Sequence, residues 1–366
     1  MYLLKMPASA MDCVAASLRR LGMRRLFLLW CVAVLLVQLL IQYGVPRMRE
    51  SKHKQRLKPP PEDLQVAAAN GGDALLRALN ETTQRCIVVA VSYGLGNRLR
   101  ALASAMAVAA ASGRPLVIIW VSDAHCGCSA RHIFAGPLPF AIVEEQIPLD
   151  AFSSRAFQVF DYMPHGAGGR RKLPWIDLDQ SRHVFVQTAF QLAHARGEWR
   201  YAKWQLRALQ PAPEVASKLL ADGSMVGVHV RGVVDMIGNY SANVTAELQV
   251  RRNRGRWPRF VPRMRLEPPS TRFYVAADSA DAYEALERAF PGRIYSVPGR
   301  CRGVRCDLNR DCSGLSLALA DMLNLGRTRL ILSSGYSSFS EVATYLGAAD
   351  WVGAQRLPVE EAGVHF

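Results

Sequence analysis

Residues 86–121, CIVVAVSYGLGNRLRALASAMAVAAASGRPLVIIWV, decide the fold. Cys86–Val91 is a short apolar run rich in β-branched residues, which predicts a buried strand. Ser92-Tyr93-Gly94-Leu95-Gly96 is a glycine-bearing turn. Asn97–Ser112 is dense in Ala and Leu, opens on a residue suited to an N-cap, and stops at Gly113 with Pro115 just beyond. It therefore reads as a helix. Leu116–Val121 is a second buried strand. Strand, glycine turn, helix and strand make one βαβ unit, and such a unit implies parallel pairing.

The alternation returns in the second half. Met225–Val230, Arg272–Ala277, Arg293–Val297 and Arg329–Ser333 read as strands; Ala280–Phe290, Leu315–Leu325 and Ser338–Leu346 read as helices. Residues 130–215 give no comparable pattern. The expected fold is α/β, with two doubly wound lobes of parallel sheet over residues 85–220 and 221–366.

Before the first strand, Leu26–Val45 (LFLLWCVAVLLVQLLIQYGV) carries no charge. About 20 such residues suffice to cross a bilayer core as a helix. A transmembrane anchor is expected here, with 1–25 as its tail; the segment is long for a signal peptide and no clean cleavage site closes it. Arg19, Arg20, Arg24 and Arg25 precede the span, but six basic residues from Arg47 to Lys58 follow it, so charge counting does not orient it. Cysteines and sequons orient it better. Cys86, Cys126, Cys128, Cys301, Cys306 and Cys312 form an even set suited to disulfides, whose pairing the sequence leaves open. Sequons stand at Asn80, Asn239 and Asn243. Together they predict a single-pass type II protein of the Golgi or ER membrane with its large C-terminal part lumenal. Residues 46–84, which pass through Lys58-Pro59-Pro60-Pro61, read as a stem.

The chain carries 45 Lys+Arg against 30 Asp+Glu, a formal charge of +15. Such a balance suits anionic membranes, phosphates or nucleic acid. No zinc-finger, helix-turn-helix or aromatic RNA-binding signature accompanies it, so no nucleic-acid partner is expected.

Three loops, each following a predicted strand, carry the candidate chemistry. Ligands of open α/β sheets bind beyond the carboxyl ends of strands. In Gly94-Leu95-Gly96-Asn97-Arg98, the glycines let backbone amides approach an anion at a helix start, and Asn97 either caps the helix or bonds a phosphate oxygen. In His229-Val230-Arg231, the outer two side chains share one face of a strand, and an Arg there suits bidentate contact with a diphosphate. In Ser333–Glu341, hydroxyls and amides converge on a helix start, with Ser337 the N-cap candidate and Ser340 or Glu341 able to close a capping arrangement. His125, Cys126, Cys128 and His132 lack the spacing of a tetrahedral zinc motif, so no metal is expected.

Taken jointly, these motifs resemble the fucosyltransferase superfamily that includes the α1,2-, α1,6- and protein O-fucosyltransferases. Gly94–Arg98 matches the family's G-L-G-N-[QR] turn, His229–Arg231 its H-x-R strand end, Phe273–Asp278 its [FY]-[VL]-A-[TA]-D strand and Ser337–Ser340 its S-x-F-[ST] loop, in the family's order. The resemblance implies the GT-B architecture of two facing lobes, GDP-fucose as donor and no cofactor. It implies that Arg231 binds the β-phosphate and aids its departure, and that Asn97 reaches the diphosphate from the other lobe, with Gly94, Gly96 and Arg98 beside it. Ser337, Ser338 and Phe339 would hold phosphates and nucleoside, while Asp278 and His229 would meet the guanine. The acceptor would be a hydroxyl of a glycan or glycoprotein. The family's H-x-R-R-x-D departs here to His229-Val-Arg231-Gly232-Val-Val-Asp235, which leaves Asp235 and Asp123 both open as the base. A transferase using another sugar nucleotide and a non-catalytic glycan-binding protein are the rival expectations. A nicotinamide enzyme fits poorly, lacking the third glycine and an acidic ribose partner.

Overall fold

The computed structural model describes residues 56–163, 173–178, 181–231, 257–298, 310–334 and 337–347, with 355–358 as backbone alone. The expected anchor 26–45, Asp235, Gly232, Asn239, Asn243, Cys301 and Cys306 lie outside the described residues. Among the described residues, no helix is long and apolar enough to cross a membrane.

The N-terminal lobe opens with helices α1 (Glu62–Ala69) and α2 (Gly72–Glu81). The expected βαβ unit follows as β1 (Ile87–Val91), α3 (Leu95–Ser112) and β2 (Leu116–Ile119), with Gly113 closing α3 in the left-handed region at φ 69°. Strands β3 (Ala141–Val143), β4 (Phe157–Asp161) and β5 (His183–Thr188) and helix α4 (Trp199–Leu206) follow, and a small antiparallel pair joins Phe134–Ala135 to Gln210–Pro211. The main sheet of the lobe runs β3-β2-β1-β5-β4, parallel throughout.

The C-terminal lobe contains β6 (Val226–Val230), β7 (Phe273–Ala277), α5 (Ala280–Ala289), β8 (Ile294–Tyr295), α6 (Cys312–Arg327), β9 (Leu330–Ser333), α7 (Ser338–Leu346) and β10 (Gln355–Pro358). Its sheet, β8-β7-β6-β9-β10, is also parallel throughout. The molecule is thus mixed α/β with two parallel sheets.

Alternation along the strands distributes the core. Ile87 and Val89 face an inner layer with Leu99, Leu102 and Met106 of α3, and that layer continues without a break into Leu319 and Met322 of α6 and Val342 of α7. Val88 points to the opposite face, where it meets Leu64 of α1 and Leu75 and Leu79 of α2. Val226, Val228, Phe273 and Leu286 cover the outer face of the second sheet. The stem expectation needs correction here. The Pro run ends at Pro61, and beyond it Leu64 and Ala68 in α1 and Leu75 and Leu79 in α2 stand four apart and are buried, so 62–81 belongs to the folded lobe. Even Leu57 is buried, its N–H donating to Gln205 Oε1 at 3.1 Å.

Candidate functional site

In both sheets the first strand is central and the chain next fills one side, then the other. The switch points therefore fall beside β1 and β6, and ligands of open α/β sheets bind beyond the carboxyl ends of strands at such points. The turn after β1, the end of β6 and the loop after β9 are the three segments that the sequence singles out.

The turn after β1 is strained. Tyr93 has φ 64°, a region a bulky residue enters only when its surroundings hold it there. Helix α3 then begins two residues earlier than expected. Gly94 is the N-cap, its carbonyl accepting from the N–H groups of Asn97 (2.9 Å) and Arg98 (3.1 Å), and no side chain caps the helix. Asn97 is therefore not the cap. Its half-buried side chain accepts instead from Arg100 Nη2 at 2.9 Å.

Gly96 meets the other lobe. A Cβ built on it would lie 2.9 Å from Ser338 Oγ and 3.0 Å from both Phe339 N and Ser338 C. Only a glycine allows the first turn of α3 to pack this closely on the first turn of α7. Helix α7 also lacks a side-chain cap: Ser337 occupies the N-cap position but bonds no helix N–H, while its carbonyl accepts from Glu341 N–H and Ser340 Oγ. Two uncapped helix N-termini thus abut, each carrying the positive end of a dipole.

Arg98 departs from expectation. Its side chain is 1% exposed, and it donates to Tyr93 O (2.7 Å), Val121 O (2.6 Å) and Asp123 Oδ2 (2.7 Å). The guanidinium pins the strained turn from inside the lobe rather than facing a donor. The same contacts bear on Asp123, whose other oxygen accepts from the N–H groups of His125 (2.8 Å) and Cys126 (2.9 Å). That carboxylate organises the loop that follows Val121.

On the C-terminal lobe, Ser334 N–H donates to His229 O (3.0 Å), and Arg231 N–H donates to Ser334 Oγ (2.8 Å). The buried His229 ring stacks on Phe339, with centroids 4.9 Å apart and planes at 10°. His229 is thus packed against the residue expected to share the nucleoside site with it. Arg231 is half-buried, and its buried Nε–H finds no acceptor among the described residues. Ser333 Oγ, whose residue pairs with His229 across the sheet, is likewise buried without a partner there. Asp278 is half-buried at the end of β7, its N–H donating to Val230 O at 3.2 Å.

The lobes are stapled beside this corner. A disulfide joins Cys128 to Cys312 at the start of α6, and Gly127 N–H donates to Arg310 O at 2.8 Å. Cys86 and Cys126, expected in disulfides, are instead buried thiols. Burial pushes their pKa values up to about 12 and about 11. Cys128, His132 and Cys312 bring three ligand-type atoms within 4.8 Å of one another, but two are sulfurs bonded to each other and offer no thiolate to a cation.

The structure therefore packs Gly96 on Ser338 and Phe339, stacks Phe339 on His229, holds the Arg231 backbone on Ser334, turns Arg98 inward, and leaves Asp278 at the adjoining strand end. Sequence reasoning missed Arg100 and gave Glu341 only a capping role, whereas the two pair across the lobes at 3.1 Å. Helical spacing puts Arg100 within reach of Asn97, three residues before it, but carries no sign of the pairing with Glu341.

No protein-family profile matches the chain, and no curated protein sequence matches it. Solved structures similar to it include a NodZ alpha-1,6-fucosyltransferase soaked with GDP-fucose, at 17% identity over 72% of this chain and 93% of that one, with a TM-score of 0.46. A second is an Arabidopsis thaliana FUT1 mutant in complex with GDP, at 16% identity, 83% and 78% coverage and a TM-score of 0.44. A third is POFUT1 in its apo form, at 12% identity, 75% and 99% coverage and a TM-score of 0.45.

Proposed function

We propose that the chain is a GT-B glycosyltransferase that moves fucose from GDP-fucose to a hydroxyl of a glycan or glycoprotein, with inversion and without a metal ion. The observation that carries this reading is the abutment of two uncapped helix N-termini, together with a buried Nε–H on Arg231, just beyond β6, that has no acceptor among the described residues. Two positive dipole ends at one place favour an anion bound beside them, and a diphosphate is long enough to reach both. The sequence motifs at these positions supply the rest: they resemble those of fucosyltransferases in type and order.

In this reading Arg231 and the α7 amides take up the charge that develops on the β-phosphate as the glycosidic bond breaks. Preorganised donors of this kind stabilise a departing diphosphate without a cation. Asn97 contributes its amide from the facing lobe. The His229–Phe339 stack and Asp278 border the nucleoside. The acceptor hydroxyl loses its proton to a base for which Asp235 is the candidate that stays open, since Asp123 is tied to Arg98.

The same proposal places the chain in the Golgi or ER membrane as a single-pass type II protein anchored by Leu26–Val45. Three features support it: the uncharged length of that segment, the exposed sequon residue Asn80, and a disulfide of a kind that persists in oxidising compartments. The test is a donor screen of the purified full chain against GDP- and UDP-sugars. Transfer or hydrolysis from GDP-fucose is expected. Preference for a UDP-sugar would reject the fucose assignment, and inactivity with every donor would favour a glycan-binding protein.

A further inference from the structure

Arg100 touches both lobes. Its Nη2 donates to Asn97 Oδ1 (2.9 Å) and to Ala189 O (2.8 Å) at the end of β5, and its Nη1 donates to Glu341 Oε2 (3.1 Å) on α7. The guanidinium also lies over the Phe190 ring, 5.3 Å from its centroid. Glu341 is held from a second side, its Oε1 accepting from Trp199 Nε1 (3.1 Å), and Trp199 in turn stacks on Tyr345 at 3.5 Å. Three helices, α3, α4 and α7, thus converge on one carboxylate and one guanidinium.

The chemistry of these groups fixes an orientation. A guanidinium carries donors alone, so the Asn97 atom that faces it is the carbonyl oxygen. The amide NH₂ then points to the other side, and its two hydrogens are all that the Asn97 side chain can offer an anion. We propose that Arg100 is a positioning residue for the diphosphate site. It sets the Asn97 carboxamide with its NH₂ toward the cleft and, through Glu341, ties that orientation to the helix whose N-terminus meets the phosphates. The inference rests on the donor-site reading above and adds a residue that none of its motifs contains. A lysine cannot replace it, because one ammonium does not present a planar fork to three acceptors on two lobes.

The test is GDP titration of the full chain, with thermal midpoints measured in parallel, on Asn97→Ala, Arg100→Lys, the double variant and Arg231→Ala. Asn97→Ala and Arg100→Lys should each weaken GDP about tenfold, the size expected of a hydrogen bond to a charged group. The double variant should match Asn97→Ala to within about twofold, because the second change acts through a group already gone. Where Arg100→Lys does not fold, Glu341→Gln takes its place in the same cycle, with a smaller loss that again vanishes on the Asn97→Ala background. A merely structural role would move the midpoint and multiply with Asn97→Ala. Multiplying losses, or wild-type affinity in Arg100→Lys, would overturn the inference while a loss in Arg231→Ala keeps the donor site. Failure of the wild-type chain to bind GDP would bring down both.

Discussion

Gly96→Ala is the most direct perturbation of the junction between the lobes. Its added methyl would lie 2.9 Å from Ser338 Oγ and 3.0 Å from Ser338 C and Phe339 N, where carbon contacts ordinarily settle at about 3.5–4.0 Å. The hydroxyl can rotate away, but the two backbone atoms cannot, so the first turn of α7 must retreat by roughly half an ångström. Overpacking of this kind costs about 1–3 kcal/mol. The same retreat moves the α7 amides away from a diphosphate held by the other lobe. Loosening a hydrogen bond from these amides to a charged phosphate should cost roughly tenfold in GDP affinity. Calorimetric titration with GDP and a thermal melt of the same sample measure the two effects. Gly94→Ala provides the stability control, since a Cβ there meets only His125 O, at 3.9 Å, and its melt should stay near wild type. Gly96→Ala with unchanged melting and unchanged GDP affinity would refute the close packing and its role.

Three further outcomes follow from the geometry. Arg231→Ala should lower turnover by about two to three orders of magnitude while the chain stays folded, because one preorganised charge contact is lost; near-normal steady-state rates would remove Arg231 from that role. A chain that begins at residue 83 loses Leu64, Leu75 and Leu79 from the core and should melt lower or aggregate, whereas one that begins at 56 should keep the full-length midpoint. His183 is buried, accepts from Cys86 N–H, and has its pKa lowered to about 4, by burial first and by Arg85 second. Its unfolded form binds a proton near pH 6.5, so stability present above that pH should fall as pH drops toward 4, by up to about 3 kcal/mol. His183→Gln, compared with wild type by denaturant titration over pH 4–7, should flatten that slope, and an unchanged slope would assign it to other groups.

The parallel sheets were legible because strands buried on both faces read as uninterrupted apolar runs. Ile87–Val91, Leu116–Ile119 and Leu330–Ser333 each emerged within two residues of their expected limits. Residues 130–215 resisted for the opposite reason: β3 is three residues long, and the edge strand β4 carries polar and half-exposed positions that blur its period. Helices α1 and α2 hid behind the Pro-rich segment that precedes them. At the site, the glycines and Arg231 could be found because backbone approach and strand ends leave local marks. Arg98 entered the site through the motif that the resemblance supplied, and the structure folds its long side chain back onto Tyr93 O and Val121 O. The partnership of Arg100 with Glu341 spans 241 positions, and no local pattern records it.

The central claim is that a diphosphate lies between the two lobes, bonded to Arg231 from one and to Asn97 from the other. An experimental structure of the full chain with GDP tests it most directly. The account predicts phosphate oxygens within hydrogen-bond distance of the Arg231 guanidinium, the Asn97 amide and the first N–H groups of α7. GDP bound elsewhere, with Arg231 and Asn97 on separate surfaces, would contradict it.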